Sequence, residues 1–101
     1  MRVNLTSRQK QYLKGLAHPL EPVVRVGRGG VKESVAAETR KSLQSHELIK
    51  VRIDSDDSAD RKVLAAELAS AADAAIAGMV GKIAILYRQR DEEPEIKLPG
   101  A

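Results

Sequence analysis

Hydrophobic and polar positions along this chain alternate between a helical spacing and a strand spacing, and the switches divide it into seven elements. Leu5-Thr6-Ser7-Arg8-Gln9 reads as a helix start, because Thr6 can accept from the Gln9 backbone while Gln9 reaches back to Thr6. The helix this predicts covers residues 7–18. Leu13, Leu16, Ala17 and Leu20 follow the spacing of a buried stripe, with Pro19 placing Leu20 just beyond the helix. Lys10, Lys14 and His18 fall at successive i+4 positions on an adjoining flank. Residues 22–26 are short, Val-rich and bounded by Pro and Gly, as a buried strand is.

A second helix is predicted over 31–45. Val31, Val35, Thr39 and Leu43 recur every four residues with Ala36 beside them, and Lys32, Glu33, Arg40 and Lys41 lie off that stripe. Residues 48–53 alternate strictly: Ile49, Val51 and Ile53 point one way, Lys50 and Arg52 the other, so one side of the sheet is expected to be exposed and basic. Asp57 or Ser58 can cap a third, alanine-rich helix containing Val63, Leu64, Leu68, Ala71 and Ala72. Two strands follow at 75–80 and 83–88, and the Gly81-Lys82 pair between them suits a tight type II′ hairpin. The fold class this implies is α/β: one domain in the order α-β-α-β-α-β-β, with crossover helices covering one face of a mixed four-stranded sheet. The domain is expected over 1–90, followed by an acidic tail at 91–101 that contains two prolines and is only partly ordered.

Composition narrows the function classes. A chain of 101 residues without internal repeats has room for one modest core. Cysteine is absent, which removes disulfides and thiolate metal sites and fits a reducing compartment. The two histidines, His18 and His46, are far apart, so no metal site and no cofactor is expected. No apolar run reaches the roughly 18 residues of a membrane span, and no basic-then-apolar leader is present, so a cytoplasmic protein is expected. The net charge of +3 conceals an asymmetry: residues 1–32 hold seven basic residues (Arg2, Arg8, Lys10, Lys14, Arg25, Arg28, Lys32) against Glu21 alone, a net of +6. The remainder is mildly acidic. Such a division either marks a face for a polyanion or reflects ordinary solvation of a helix.

The segment Val24-Arg25-Val26-Gly27-Arg28-Gly29-Gly30-Val31-Lys32 carries the most chemistry, because it sets a Gly-x-x-Gly loop with a basic centre between a strand and a helix. Gly27, Gly29 and Gly30 let backbone approach a ligand closely, and the helix beyond offers free amides and the positive end of its dipole. Arg28 lies inside the loop, with Arg25 and Lys32 flanking it. The alternatives are an anion site and a turn in which glycine only relieves strain. Base reading is expected to be weak, because Tyr12 and Tyr87 are the only aromatics and packing can account for both. Catalysis is not expected. A dinucleotide fold would want a glycine where Lys32 stands, and no nucleophile, base and orienting residue occur together.

Taken in combination, several stretches resemble one family: Leu5-Thr6-Ser7, Tyr12-Leu13-Lys14-Gly15-Leu16-Ala17-His18, the 27–30 loop, His46-Glu47-Leu48-Ile49-Lys50-Val51, Val80-Gly81-Lys82, Leu86-Tyr87-Arg88 and Ile96-Lys97-Leu98-Pro99. The chain is similar to single-domain bacterial members of the CRM (chloroplast RNA splicing and ribosome maturation), or YhbY-like, family. The resemblance implies a fold similar to the C-terminal domain of translation initiation factor three. It also implies an RNA-contacting loop at Gly27, Arg28, Gly29 and Gly30, and a place in large ribosomal subunit assembly. Structured RNA, ribosomal RNA or its precursor particle, would then dock on that loop with Arg25 and Lys32, extended by Lys10, Lys14, Lys50 and Arg52. The acids at 91–93 and the alanine-rich stretch 69–77 depart from the family pattern. The rival reading is a protein adaptor that binds a ribosomal protein or assembly factor through the open sheet face or the acidic tail.

Overall fold

The computed structural model describes residues 4–100, so Arg2, counted above in the basic third, lies outside them. Seven elements follow in the expected order: α1 Ser7–Ala17, β1 Pro22–Val26, α2 Glu33–His46, β2 Leu48–Ile53, α3 Ser58–Ala71, β3 Ala75–Val80 and β4 Ile83–Tyr87. The capping box is formed: Thr6 Oγ1 accepts from Gln9 N at 3.2 Å, and Gln9 Oε1 accepts from Thr6 N at 3.0 Å. Asp57 caps α3 through a bond from Ala59 N to its carboxylate at 2.9 Å. Helix α2 begins two residues later than its apolar spacing suggested. The chain bends at Val31 on leaving the glycine loop and is extended at Lys32, which provides no side-chain cap.

The sheet order is β1-β2-β4-β3. Strands β1 and β2 are parallel, joined by α2, and β4 pairs antiparallel with both β2 and β3. The hairpin therefore turns at Gly81, which carries a positive φ of 57°, and inserts β4 between β2 and β3. Helices α2 and α3 cover one face over a core of Val24, Val26, Leu43, Ile49, Val51, Ile53, Leu68 and Leu86.

The opposite face is less open than the Lys50/Arg52 alternation suggested. Helix α1 crosses it, and Leu13, Ala17, Leu48, Ala77, Ile85 and Tyr87 form a second core there, with Leu5, Ile96 and Leu98 packed alongside. Burying a side chain such as Leu13 contributes about 2 kcal/mol. Lys50 is half-buried and donates to the His18 carbonyl at 3.1 Å. The expected stripe on α1 holds only in part: Leu13 and Ala17 are buried, but Leu16 and Leu20 are 40% and 38% exposed because α1 leaves the β1 margin of the sheet uncovered. Val63 on α3 likewise faces outward.

The tail, expected to be loosely held, is fastened chiefly at Glu47. Glu47 ends α2 with φ 62°, its side chain is fully enclosed, and its carboxylate accepts from three backbone amides: Arg90 N at 2.8 Å, Glu95 N at 2.8 Å and Ile96 N at 2.9 Å. Arg90 returns across the same junction, donating from Nη1 to the Ser45 carbonyl at 3.3 Å and from Nη2 to Glu95 at 2.7 Å. Farther on, Gln9 Nε2 donates to the Pro99 carbonyl at 3.0 Å. Burial raises the Glu47 carboxyl pKa, but the amides of Arg90, Ile96 and Glu95 and the Arg90 charge more than offset it, so the pKa lies below the ordinary 4.5.

Two consequences can be measured. Glu47→Ala strands three amides and should cost about 3 kcal/mol in urea denaturation. Because the folded-state pKa is depressed, Glu47's contribution is fully present above pH 4.5 and is lost as pH falls through the lower folded value. Protection of the Glu95 and Ile96 amides from exchange, relative to their intrinsic rates at each pH, should therefore fall as pH drops below 4.5, and in Glu47→Ala it should be low at every pH.

Candidate nucleic-acid interface

Parallel pairing brings the C-terminal ends of β1 and β2 side by side, and the register opposes Arg25 to Arg52 and Val26 to Ile53. Val24 and Val26 are turned into the α2/α3 core, so Arg25 projects from the other face, where Arg52 also lies. Asp54 N continues the ladder by donating to the Val26 carbonyl at 2.9 Å. The chain then leaves β1 through a tight turn in which Gly30 N donates to the Gly27 carbonyl at 3.1 Å, and Gly30 has φ 76°. From the hairpin side, Ile53 N donates to the Lys82 carbonyl at 2.7 Å, which sets Lys82 beside the same strand ends.

These elements enclose an open cleft of about 540 Å³ lined by Arg25, Gly27, Arg28, Arg52, Asp54, Asp56 and Lys82. Its four cations and two carboxylates leave a net of +2. Arg25 and Arg52 both pair with Asp54, the latter from Nε to Oδ1 at 2.9 Å. Lys82 Nζ lies 2.9 Å from the exposed Asp56. The Arg25 guanidinium first, and Arg52 with it, hold the Asp54 carboxyl below its ordinary 3.8 despite partial desolvation; Lys82 does the same for Asp56. Arg28 is exposed at the turn and has no ion pair among the described residues. The cleft can therefore offer guanidinium and ammonium donors to an anionic backbone.

The residues singled out in the sequence do not all meet there. Arg25, Gly27, Arg28 and Arg52 do. Lys32 folds over Gly29, where a Cβ would come within 2.8 Å of its Nζ. Lys50 lies inward along β2, bound to the His18 carbonyl. Lys10 borders a separate hollow with Asn4, Ala69 and Ile76, and Lys14 lies over Gly78 of β3, at the opposite edge of the sheet from β1. Helix α2 starts three residues beyond the turn and carries its own acid, Glu33, paired with Arg40 at 2.6 Å, so its dipole is partly answered from within. Sequence reasoning missed Lys82 as a site residue, since only the insertion of β4 beside β2 brings the hairpin turn to this end. Among the described residues no cluster of His, Cys, Asp or Glu could hold a metal, and no helix is long and apolar enough to cross a membrane.

The model of the CRS1 / YhbY (CRM) domain matches residues 5–88, which includes every strand and helix bordering the cleft. The chain belongs to the CRM domain family. An RNA-binding protein of Haemophilus influenzae is 42% identical over 95 residues, covering 94% of this chain and 95% of its own. The Bacillus subtilis protein named "Probable RNA-binding protein YqeI" is 32% identical over 95 residues, covering 94% and 99%. The solution structure of the hypothetical protein SAV1595 from Staphylococcus aureus superposes with a TM-score of 0.85 at 35% identity, covering 95% of this chain and all of that one.

Within this CRM domain the glycines are not equivalent. Gly30 needs its positive φ, whereas a Cβ at Gly27 would meet nothing within 4 Å. Gly30→Ala should destabilise by about 1–2 kcal/mol, the cost of a left-handed conformation for a residue with a Cβ. Gly27→Ala should leave stability unchanged or raise it by about 0.5 kcal/mol through the unfolded chain. Urea denaturation of the two variants checks the contrast.

Proposed function

We infer that this CRM domain is an RNA-binding protein that docks structured RNA across the cleft at the ends of β1 and β2, in the assembly of the large ribosomal subunit. The observation that carries the reading is the convergence of Arg25, Arg28, Arg52 and Lys82 around a glycine turn whose Gly27 backbone is open to approach. Arg28, in the turn and without an ion pair among the described residues, is the first candidate for a phosphate; Lys32 has the reach to join it. Lys10, Lys14 and Lys50 extend contact only to an RNA broad enough to pass around α1. Relatives named as RNA-binding proteins support the class of ligand. The ribosomal target rests on the family resemblance. Tyr87 is buried, which leaves Tyr12 as the exposed aromatic, so recognition relies on backbone and shape. A non-enzymatic, cytoplasmic role needing no cofactor follows from this reading.

The adaptor reading keeps one observation in its favour. Leu16, Leu20 and Val23 are exposed beside Ile96 along the uncovered β1 margin, forming a groove of about 410 Å³. The acidic tail serves it less well, since Glu95 is engaged by Arg90.

Crosslinking in cells separates the two. Wild-type protein should enrich large-subunit ribosomal RNA in precursor particles, and Arg28→Glu/Lys32→Glu should lose that enrichment; crosslinks unaffected by the double variant would transfer function to the apolar margin. In solution, four phosphate contacts would make binding about ten-fold weaker for each doubling of salt.

A further inference from the structure

The cations of the cleft are held in different ways. Arg28 has no ion pair among the described residues and Lys82 meets an exposed carboxylate, but Arg25 and Arg52 converge on the single side chain of Asp54, each through Nε. Asp54 is 21% exposed, against 72% and 47% for the two arginines, so the carboxylate sits beneath the guanidiniums. Its backbone is fixed by the bond to the Val26 carbonyl. Among the described residues, no protein acceptor takes the Nη1 or Nη2 of either arginine. The inner edge of each guanidinium is therefore occupied and the terminal edge is open. That terminal edge is the one that can grip a phosphate through two parallel hydrogen bonds.

Charge counting alone assigns Asp54 the wrong sign for a polyanion site, because it offsets one of the two cations it touches. Geometry gives it another role. Adjacent parallel strands hold the two arginine backbones about 5 Å apart on one face, so their side chains leave as neighbours, and like charges repel and swing apart where no shared anion gathers them. We propose that Asp54 is a positioning residue that aims the terminal nitrogens of Arg25 and Arg52 together at the phosphodiester backbone of a base-paired RNA. This rests on the RNA-docking reading of the cleft.

Asp56 supplies the internal control, since it lines the same cleft and bears the same charge but is 97% exposed and, among the described residues, pairs with Lys82 alone. Affinities would be measured for a base-paired ribosomal RNA fragment and for heparin, a polyanion without fixed phosphate geometry. Asp54→Asn should weaken RNA binding about ten-fold, the scale of reordering two long side chains on binding, while heparin binding holds or tightens. Asp56→Asn should not weaken either. In Asp54→Asn the Nε–H resonances of Arg25 and Arg52 should broaden within an unchanged backbone spectrum. RNA affinity that holds or rises in Asp54→Asn, or that falls in step with heparin, overturns the proposal.

The double variant Arg25→Ala/Arg52→Ala distinguishes the levels of failure. If it leaves RNA affinity intact, the cleft is not the RNA site and the role of Asp54 goes with it. If it weakens RNA while Asp54→Asn does not, only the positioning role is lost. Should Asp54→Asn not fold, Asp54→Glu keeps the charge and moves the carboxylate by one methylene; RNA binding that weakens with heparin unchanged supports the role, and unchanged RNA binding refutes it.

Discussion

The parallel pairing of β1 with β2 is the constraint from which the rest of the site follows. Parallel strands end at the same edge of a sheet, and the crevice outside their carboxyl ends is where open α/β sheets admit ligands. Here the pairing sets Arg25 against Arg52 and brings Asp54 to the Val26 carbonyl. It also forces the chain to turn away at once to begin its crossover, which is why a positive φ is needed at Gly30. A slip of one residue in β1 would send Arg25 into the α2/α3 core and turn Val24 and Val26 to the other face. The valines thus fix the parity of the strand, and the arginine inherits its direction from them.

Closure of the sheet's second face is a separate problem, solved at the other end. Helix α1 supplies only Leu13 and Ala17 as fully buried residues, too little to cover Leu48, Ile85 and Tyr87, and the tail completes the layer with Ile96 and Leu98. Irregular chain can lie there only if its amides find acceptors. Glu47 provides them, in a backbone conformation costing about 1–3 kcal/mol that its three amide bonds and those of the neighbouring backbone offset. The six residues of β2, about 20 Å of extended chain, separate Glu47 from Asp54. One end of β2 is therefore locked by a buried carboxylate that satisfies the protein's own amides, and the other is left open around a carboxylate that gathers cations.

Features legible in the sequence were those decided locally. The Thr6/Gln9 capping box, the Asp57 cap, the Pro and Gly boundaries of β1 and the alternation in β2 all depend on residues within a few positions of one another, and each appears where the pattern put it. What the pattern did not give depends on neighbours distant in sequence. Leu16 has the spacing of a buried residue, yet its burial depends on how far the sheet extends beneath α1. Glu47 reads as one more polar residue at a helix end. Its enclosure is decided by amides more than forty residues away. Lys82 looked like a turn residue and nothing more, because its proximity to Arg52 is a property of strand order.

The same distinction changes the meaning of the charge asymmetry. Counted along the chain, the positive third is residues 1–32. In space, the cleft draws Arg25 and Arg28 from that third and Arg52 and Lys82 from the acidic remainder, while Lys14 lies over β3, three strand spacings or about 14 Å from the β1 edge. At physiological ionic strength the screening length is about 8 Å. Across that distance Lys10 and Lys14 add little to the potential inside the cleft and act mainly as long-range attraction at low salt. The electrostatic potential at this end of the sheet is thus set by four cations and the two carboxylates between them, so their geometry outweighs the overall excess of lysine and arginine.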